Sequence, residues 1–82
     1  MDLPLGVRYD ERMNLYYVEI KPFGYDETIA LSYWDTPEEA FAEYKRVKQA
    51  DILMMALKYK DRIPKHVYEA LTKYEVKPFV ED

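Results

Sequence analysis

Apolar and polar residues alternate with period two in three short runs before residue 36, and with a helical period after it. The clearest alternation is Leu15 to Lys21. Tyr16, Val18 and Ile20 share one face and Tyr17, Glu19 and Lys21 the other, because successive side chains cross the pleat. Gly6 to Tyr9 reads as a shorter strand before it, separated by the polar turn Asp10–Asn14. Thr28 to Tyr33 reads as a third strand, with Ile29, Leu31 and Tyr33 inward and Thr28, Ala30 and Ser32 outward. Pro22-Phe23-Gly24-Tyr25-Asp26 breaks the chain between the last two strands, and Gly24 is the position expected to take a positive φ. A three-stranded antiparallel meander over residues 1–35 follows.

Tyr33-Trp34-Asp35-Thr36-Pro37-Glu38-Glu39 is the strongest local signal. Thr36 caps a helix with its hydroxyl, Pro37 occupies a position where a missing N–H costs nothing, and Glu39 is placed to reach back to the N–H of Thr36. No Gly or Pro interrupts the pattern from there to about Lys60. Phe41, Tyr44, Val47 and Lys48 lie on one side, and with Tyr16 and Trp34 they form the expected seam between helix and sheet. A second helix, 64–74, carries Ile63, Val67, Ala70, Leu71 and Tyr74 on one side, and 75–82 is an extended tail with a short strand expected near Val76. The fold class is therefore α+β: a three-stranded antiparallel sheet on a long α-helix (36–60), then a short C-terminal helix, all in one domain, 1–82.

The second half of the long helix is apolar on two sides. Ile52, Met55, Ala56 and Tyr59 share one face, while Leu53, Met54 and Leu57 cluster on the opposite one. Both faces need cover. Either the tail, Val76 to Val80, folds over the second cluster, or Leu53, Met54 and Leu57 serve a homodimer or a foreign protein.

Charge sharpens the picture. The chain carries 12 basic and 16 acidic residues, net -4. Residues 1–36 hold three cations (Arg8, Arg12, Lys21) against seven anions (Asp2, Asp10, Glu11, Glu19, Asp26, Glu27, Asp35), which is also -4, so the rest balances. All of the excess acidity falls on the sheet, the sign opposite to a nucleic-acid footprint. The absence of cysteine excludes disulfides and thiolate metal sites and fits a reducing interior, and neither a secretory leader nor a membrane span is expected.

Catalytic signals are missing. His66 is the one histidine and falls just inside a helix, where solvation is its expected fate. The pairs Asp10–Glu11 and Asp26–Glu27 lack a third ligand at useful spacing. With no nucleophile constellation, phosphate loop or metal motif, no enzyme activity, metal or cofactor is expected.

Gly6-Val7-Arg8, Tyr16 to Lys21, Leu31 and Asp35 to Ala40 with Tyr44 resemble the ethylene-response-factor (Apetala-two type) DNA-binding domain. Tyr59 to Lys65, Val67 to Leu71 and Tyr74-Glu75-Val76 resemble the C-terminal end of bacteriophage HNH homing endonucleases that carry such a domain. Together these segments span nearly the whole chain. The resemblance implies that the outer sheet face enters the major groove, with Arg8, Glu19 and Lys21 as contacts, and that the chain works in the cytoplasm of an infected bacterial host. Several positions depart from that pattern: Tyr17 stands where phage relatives tend to have Arg, Ala30 replaces a contact side chain, Ser32 replaces a Gly, and Leu5 takes a position that is often Lys.

Two functions follow as expectations. One is a non-enzymatic, phage-type protein-binding module, most concretely an acidic inhibitor of a host nucleic-acid-handling or defence (CRISPR-type) nuclease. In it Asp10, Glu11, Glu19, Asp26 and Glu27 steer association, Tyr17 anchors it, and Leu53, Met54 and Leu57 add an apolar contact. The alternative is a double-stranded DNA-binding domain using Arg8, Arg12, Glu19 and Lys21.

Overall fold

A computed structural model describes residues 2–79. The strands are β1 (Val7–Asp10), β2 (Leu15–Ile20) and β3 (Ile29–Trp34), in spatial order β1-β2-β3 and antiparallel throughout. The long helix α1 runs Pro37–Lys58, a 3-10 turn covers Lys60–Arg62, and α2 runs Lys65–Thr72. This is the expected α+β arrangement.

The start of α1 follows from its sequence. Thr36 is extended, and its Oγ1 accepts from the Glu39 N–H at 3.2 Å. Half of the anticipated box changes partner: the Glu39 carboxylate accepts from the Thr36 hydroxyl at 2.9 Å, rather than from the Thr36 N–H. Glu38 and Glu39 also lie at the positive end of the helix dipole.

Sheet and helix meet through Val7, Val18, Ile20, Ala40 and Tyr44, with Tyr16, Leu31, Trp34, Phe41 and Val47 packed around them. A helix of 22 residues is about 33 Å long, whereas a six-residue strand covers about 20 Å. The second half of α1 therefore overhangs the sheet. There α2 and the tail pack on Ile52, Met55 and Ala56, giving a molecule 46 × 28 × 18 Å across.

One strand departs from simple alternation. Tyr17 pairs with Tyr33, but two residues later Glu19 pairs with Ala30, so β3 spends one more residue than β2 over the same stretch. A bulge of this kind resets which side chains face the core. Leu31 packs on the core as expected; Ile29, expected inward, lies opposite Ile20 but is exposed, Tyr33, expected inward, faces out, and Trp34 takes the inner position opposite Tyr16. The Trp34 indole N–H donates to Ser32 Oγ at 2.7 Å.

The described part of the tail forms no strand at Val76. Val76 is buried in the core cluster; its N–H donates to Gln49 Oε1 at 3.1 Å, and the Leu5 N–H donates to the Pro78 carbonyl at 2.7 Å. On α2, Val67 and Leu71 are half-buried with Ile63, whereas Ala70 and Tyr74, expected on the same side, are exposed. The helix ends at Thr72, so Tyr74 no longer follows its periodicity.

Candidate functional site

The outer face of the sheet is built on β2. Tyr17 and Glu19 alternate with the buried Val18 and Ile20 and are thereby directed away from α1. Tyr17 lies between Arg8 on β1 and Tyr33 on β3, so the three form a row across the sheet. The Tyr17 and Tyr33 rings are 5.6 Å apart and tilted, a favourable aromatic arrangement. The Arg8 Nε donates to Glu19 Oε2 at 2.9 Å, and the Tyr33 hydroxyl donates to Asp10 Oδ2 at 3.2 Å. The other oxygen of Asp10 accepts from the N–H groups of Arg12 and Met13 and shapes the hairpin turn.

Partial removal from water raises the Tyr33 pKa, and the hydrogen-bonded, negatively charged Asp10 raises it further. Tyr44 is raised as well, chiefly by burial in the sheet–helix seam. Both phenols should ionise above the usual value of 10.0. A raised pKa in the folded state means stability that is complete below pH 10 and lost as the pH climbs through the folded values. In a phenolate-absorbance titration, Asp10→Asn moves one tyrosine to lower pH and leaves Tyr44 late; unchanged curves would contradict the assigned contact.

The candidate residues do not gather in one place. Arg8, Glu19 and Lys21 line a shallow groove of about 760 Å³ that also includes Leu5 and Phe79. Asp10 ends β1 at the first hairpin turn, with Glu11 and Arg12 following it, whereas Asp26 and Glu27 sit in the loop at the other end of the sheet. Tyr17 and Glu19 lie between the two acidic ends. The residues proposed for DNA contact are thus divided as well: Arg12 is set apart from the groove, and the Arg8 guanidinium is already matched by a carboxylate. An exposed pair of this kind adds little stability and leaves the net charge of the face unchanged, but it engages the Arg8 guanidinium with a carboxylate of its own sheet.

Leu53, Met54 and Leu57 form the second candidate surface and are 42%, 68% and 50% exposed. The described part of the tail does not cover them. Val76 packs on the other side of α1, with Tyr44, Ile52 and Met55; Val80 lies outside the described residues. The patch continues into a groove lined by Phe23, Asp51, Met54, Leu57 and Lys58. Phe23 is fastened there: its N–H donates to Asp51 Oδ2 at 3.0 Å, and its ring stands edge-on to Tyr59 at 5.9 Å.

Sequence reasoning missed Phe23 and Tyr33 as surface aromatics. The run Pro22-Phe23-Gly24-Tyr25 carried a signal for the first, since large aromatics in a glycine turn have little core to enter.

His66 is exposed on α2. Among the described residues, no three or more His, Asp or Glu side chains are close enough to hold a metal ion, and no helix is long and apolar enough to cross a membrane. Comparison with protein-family models, curated proteins and solved structures finds no match to this chain.

Proposed function

We propose that the chain is a non-enzymatic protein-binding module whose acidic, tyrosine-bearing sheet face docks on a basic protein surface. Its most concrete form is an inhibitor of a host nucleic-acid-handling or defence nuclease of CRISPR type, acting in the cytoplasm of an infected bacterium by occupying the groove that takes nucleic acid. The observation that carries this reading is the charge balance of the face: Asp10, Glu11, Glu19, Asp26 and Glu27 outnumber Arg8, Arg12 and Lys21, and Arg8 is already engaged by Glu19.

Duplex affinity arises largely from cations that displace counterions from phosphates, and this surface offers few. The same field attracts a groove lined with Lys and Arg and speeds encounter with it. Once docked, the tilted Tyr17–Tyr33 pair supplies broad contact at low side-chain entropy cost. The resemblance to a duplex-reading scaffold supports the geometry of the contact: a sheet shaped for a groove of nucleic acid carries Tyr17 and Leu5 where such readers tend to present cations.

The test pairs two measurements. Mobility shift of a DNA duplex at about 50 mM salt should show no binding, while the chain slows duplex cleavage by a purified RNA-guided nuclease. Reversing Glu19 and Asp26 together to Lys should weaken that inhibition about tenfold or more. Tight, salt-sensitive duplex binding that disappears in Arg8→Ala would overturn the proposal in favour of a DNA-binding domain.

A further inference from the structure

The exposed side of α1 is self-complementary along its length. At 100° per residue, Arg46, Ala50, Leu53, Met54 and Leu57 form one stripe, and every one of them is exposed. Asp61 continues the line in the 3-10 turn just beyond the helix. If two copies of α1 are laid antiparallel across a two-fold axis between Leu53 and Met54, each position meets a suitable counterpart. Leu53 meets Met54 of the second copy, the small Ala50 meets Leu57, and Arg46, whose guanidinium also pairs with Glu43 of its own helix, meets Asp61. By symmetry each contact occurs twice.

The ends of the stripe decide the orientation. A parallel pair about a two-fold axis sets each residue against its own copy, which brings Arg46 to Arg46 and Asp61 to Asp61. The antiparallel pair replaces both repulsions with attraction and encloses six large apolar side chains between them. Among the described residues, only Phe23 of the loop between β2 and β3 borders this surface, at its Met54–Leu57 end. α2 and the tail occupy the opposite side of the overhang, around Ile52, Met55, Leu71 and Val76.

We infer that the Arg46–Asp61 stripe of α1 is a homodimer interface, with a second copy of this chain packed antiparallel on Leu53, Met54 and Leu57. The sheets then face outward at the two ends of the dimer, so each sheet remains available to a partner. The inference does not depend on what the sheet binds.

Sedimentation equilibrium from about 1 to 500 µM covers the affinity range of a modest helix pair. The expected mass is twice the 9.9 kDa of one chain at the upper concentrations. Leu57→Glu and, separately, Arg46→Glu should give monomers with an unchanged circular-dichroism spectrum, and combining Arg46→Glu with Asp61→Arg should restore the dimer. Because the sequence lacks cysteine, direction can be read independently: under oxidation, an Ala50→Cys chain should cross-link to a Leu57→Cys chain faster than to itself. A single-chain mass at every concentration, a dimer indifferent to Leu57→Glu, or preferential Ala50→Cys self-linking would each overturn the inference. Nuclease inhibition by the monomeric variants would leave the sheet reading untouched.

Discussion

Gly6→Ala is expected to lower unfolding free energy by about 3 kcal/mol, from about 1–2 for a left-handed backbone and about 1–3 for overpacking. Gly6 has φ +78°, and a Cβ built there would stand 2.1 to 2.5 Å from three carbons of the Tyr44 ring. Tyr44 cannot retreat, since it is buried between sheet and tail. Gly6 is also tied into the sheet, its carbonyl accepting from the Glu19 N–H at 2.8 Å. Gly24 provides the control. Its φ is +84°, but nothing lies within 4 Å of the position its Cβ would take, so Gly24→Ala should cost only about 1 kcal/mol. Urea unfolding of both variants checks the contrast, and equal losses would show that backbone conformation, and not the Tyr44 contact, sets the penalty at Gly6.

Val76→Asp should be as severe, at about 3–5 kcal/mol, because it buries an unpaired charge. Val76 is 3% exposed and touches a core built from β1, β2 and α1. The new carboxyl would have its pKa raised by burial, so its penalty is greatest at neutral pH and shrinks as the pH falls and the group protonates. Thermal melts of variant and wild type at about pH 4 and pH 7 should therefore differ less in acid. Wild-type acid sensitivity must be subtracted, since the hydrogen bond and charge of Lys45 hold the Glu75 pKa below 4.5. A Val76→Asp protein as stable as wild type at pH 7 would mean that the tail is not part of the core.

These two residues mark where the sequence stopped being legible. The three strands, the Thr36 cap and both helices could be read from local patterns: alternation over Leu15–Ile20, a Thr-Pro-Glu-Glu start, and uninterrupted helical spacing through Lys58. Gly6 resembles any strand-leading glycine until Tyr44 arrives from 38 positions away, and a lone Val in a charged tail gives no sign of a slot waiting between sheet and helix. The β3 bulge was hidden for a related reason. It has no glycine to mark it, and pairing with β2 decides where the extra residue goes.

That shift had consequences for the candidate surface as well. Tyr17 and Glu19 were placed outward correctly, as was the Leu53, Met54 and Leu57 cluster on its own side of α1. Tyr33 was assigned to the interior, so its ring pair with Tyr17 and its bond to Asp10 could not be foreseen. Nor could a list of acids show that Glu19 is matched by Arg8, because ion pairing across neighbouring strands depends on register.

The bond from the Leu5 N–H to the Pro78 carbonyl brings the two ends of the described chain together. A passenger fused at either end of the described segment would consequently leave from one common corner. A short linker joining those ends, with the chain reopened in the Glu11–Asn14 turn, should yield a circular permutant that keeps the same architecture.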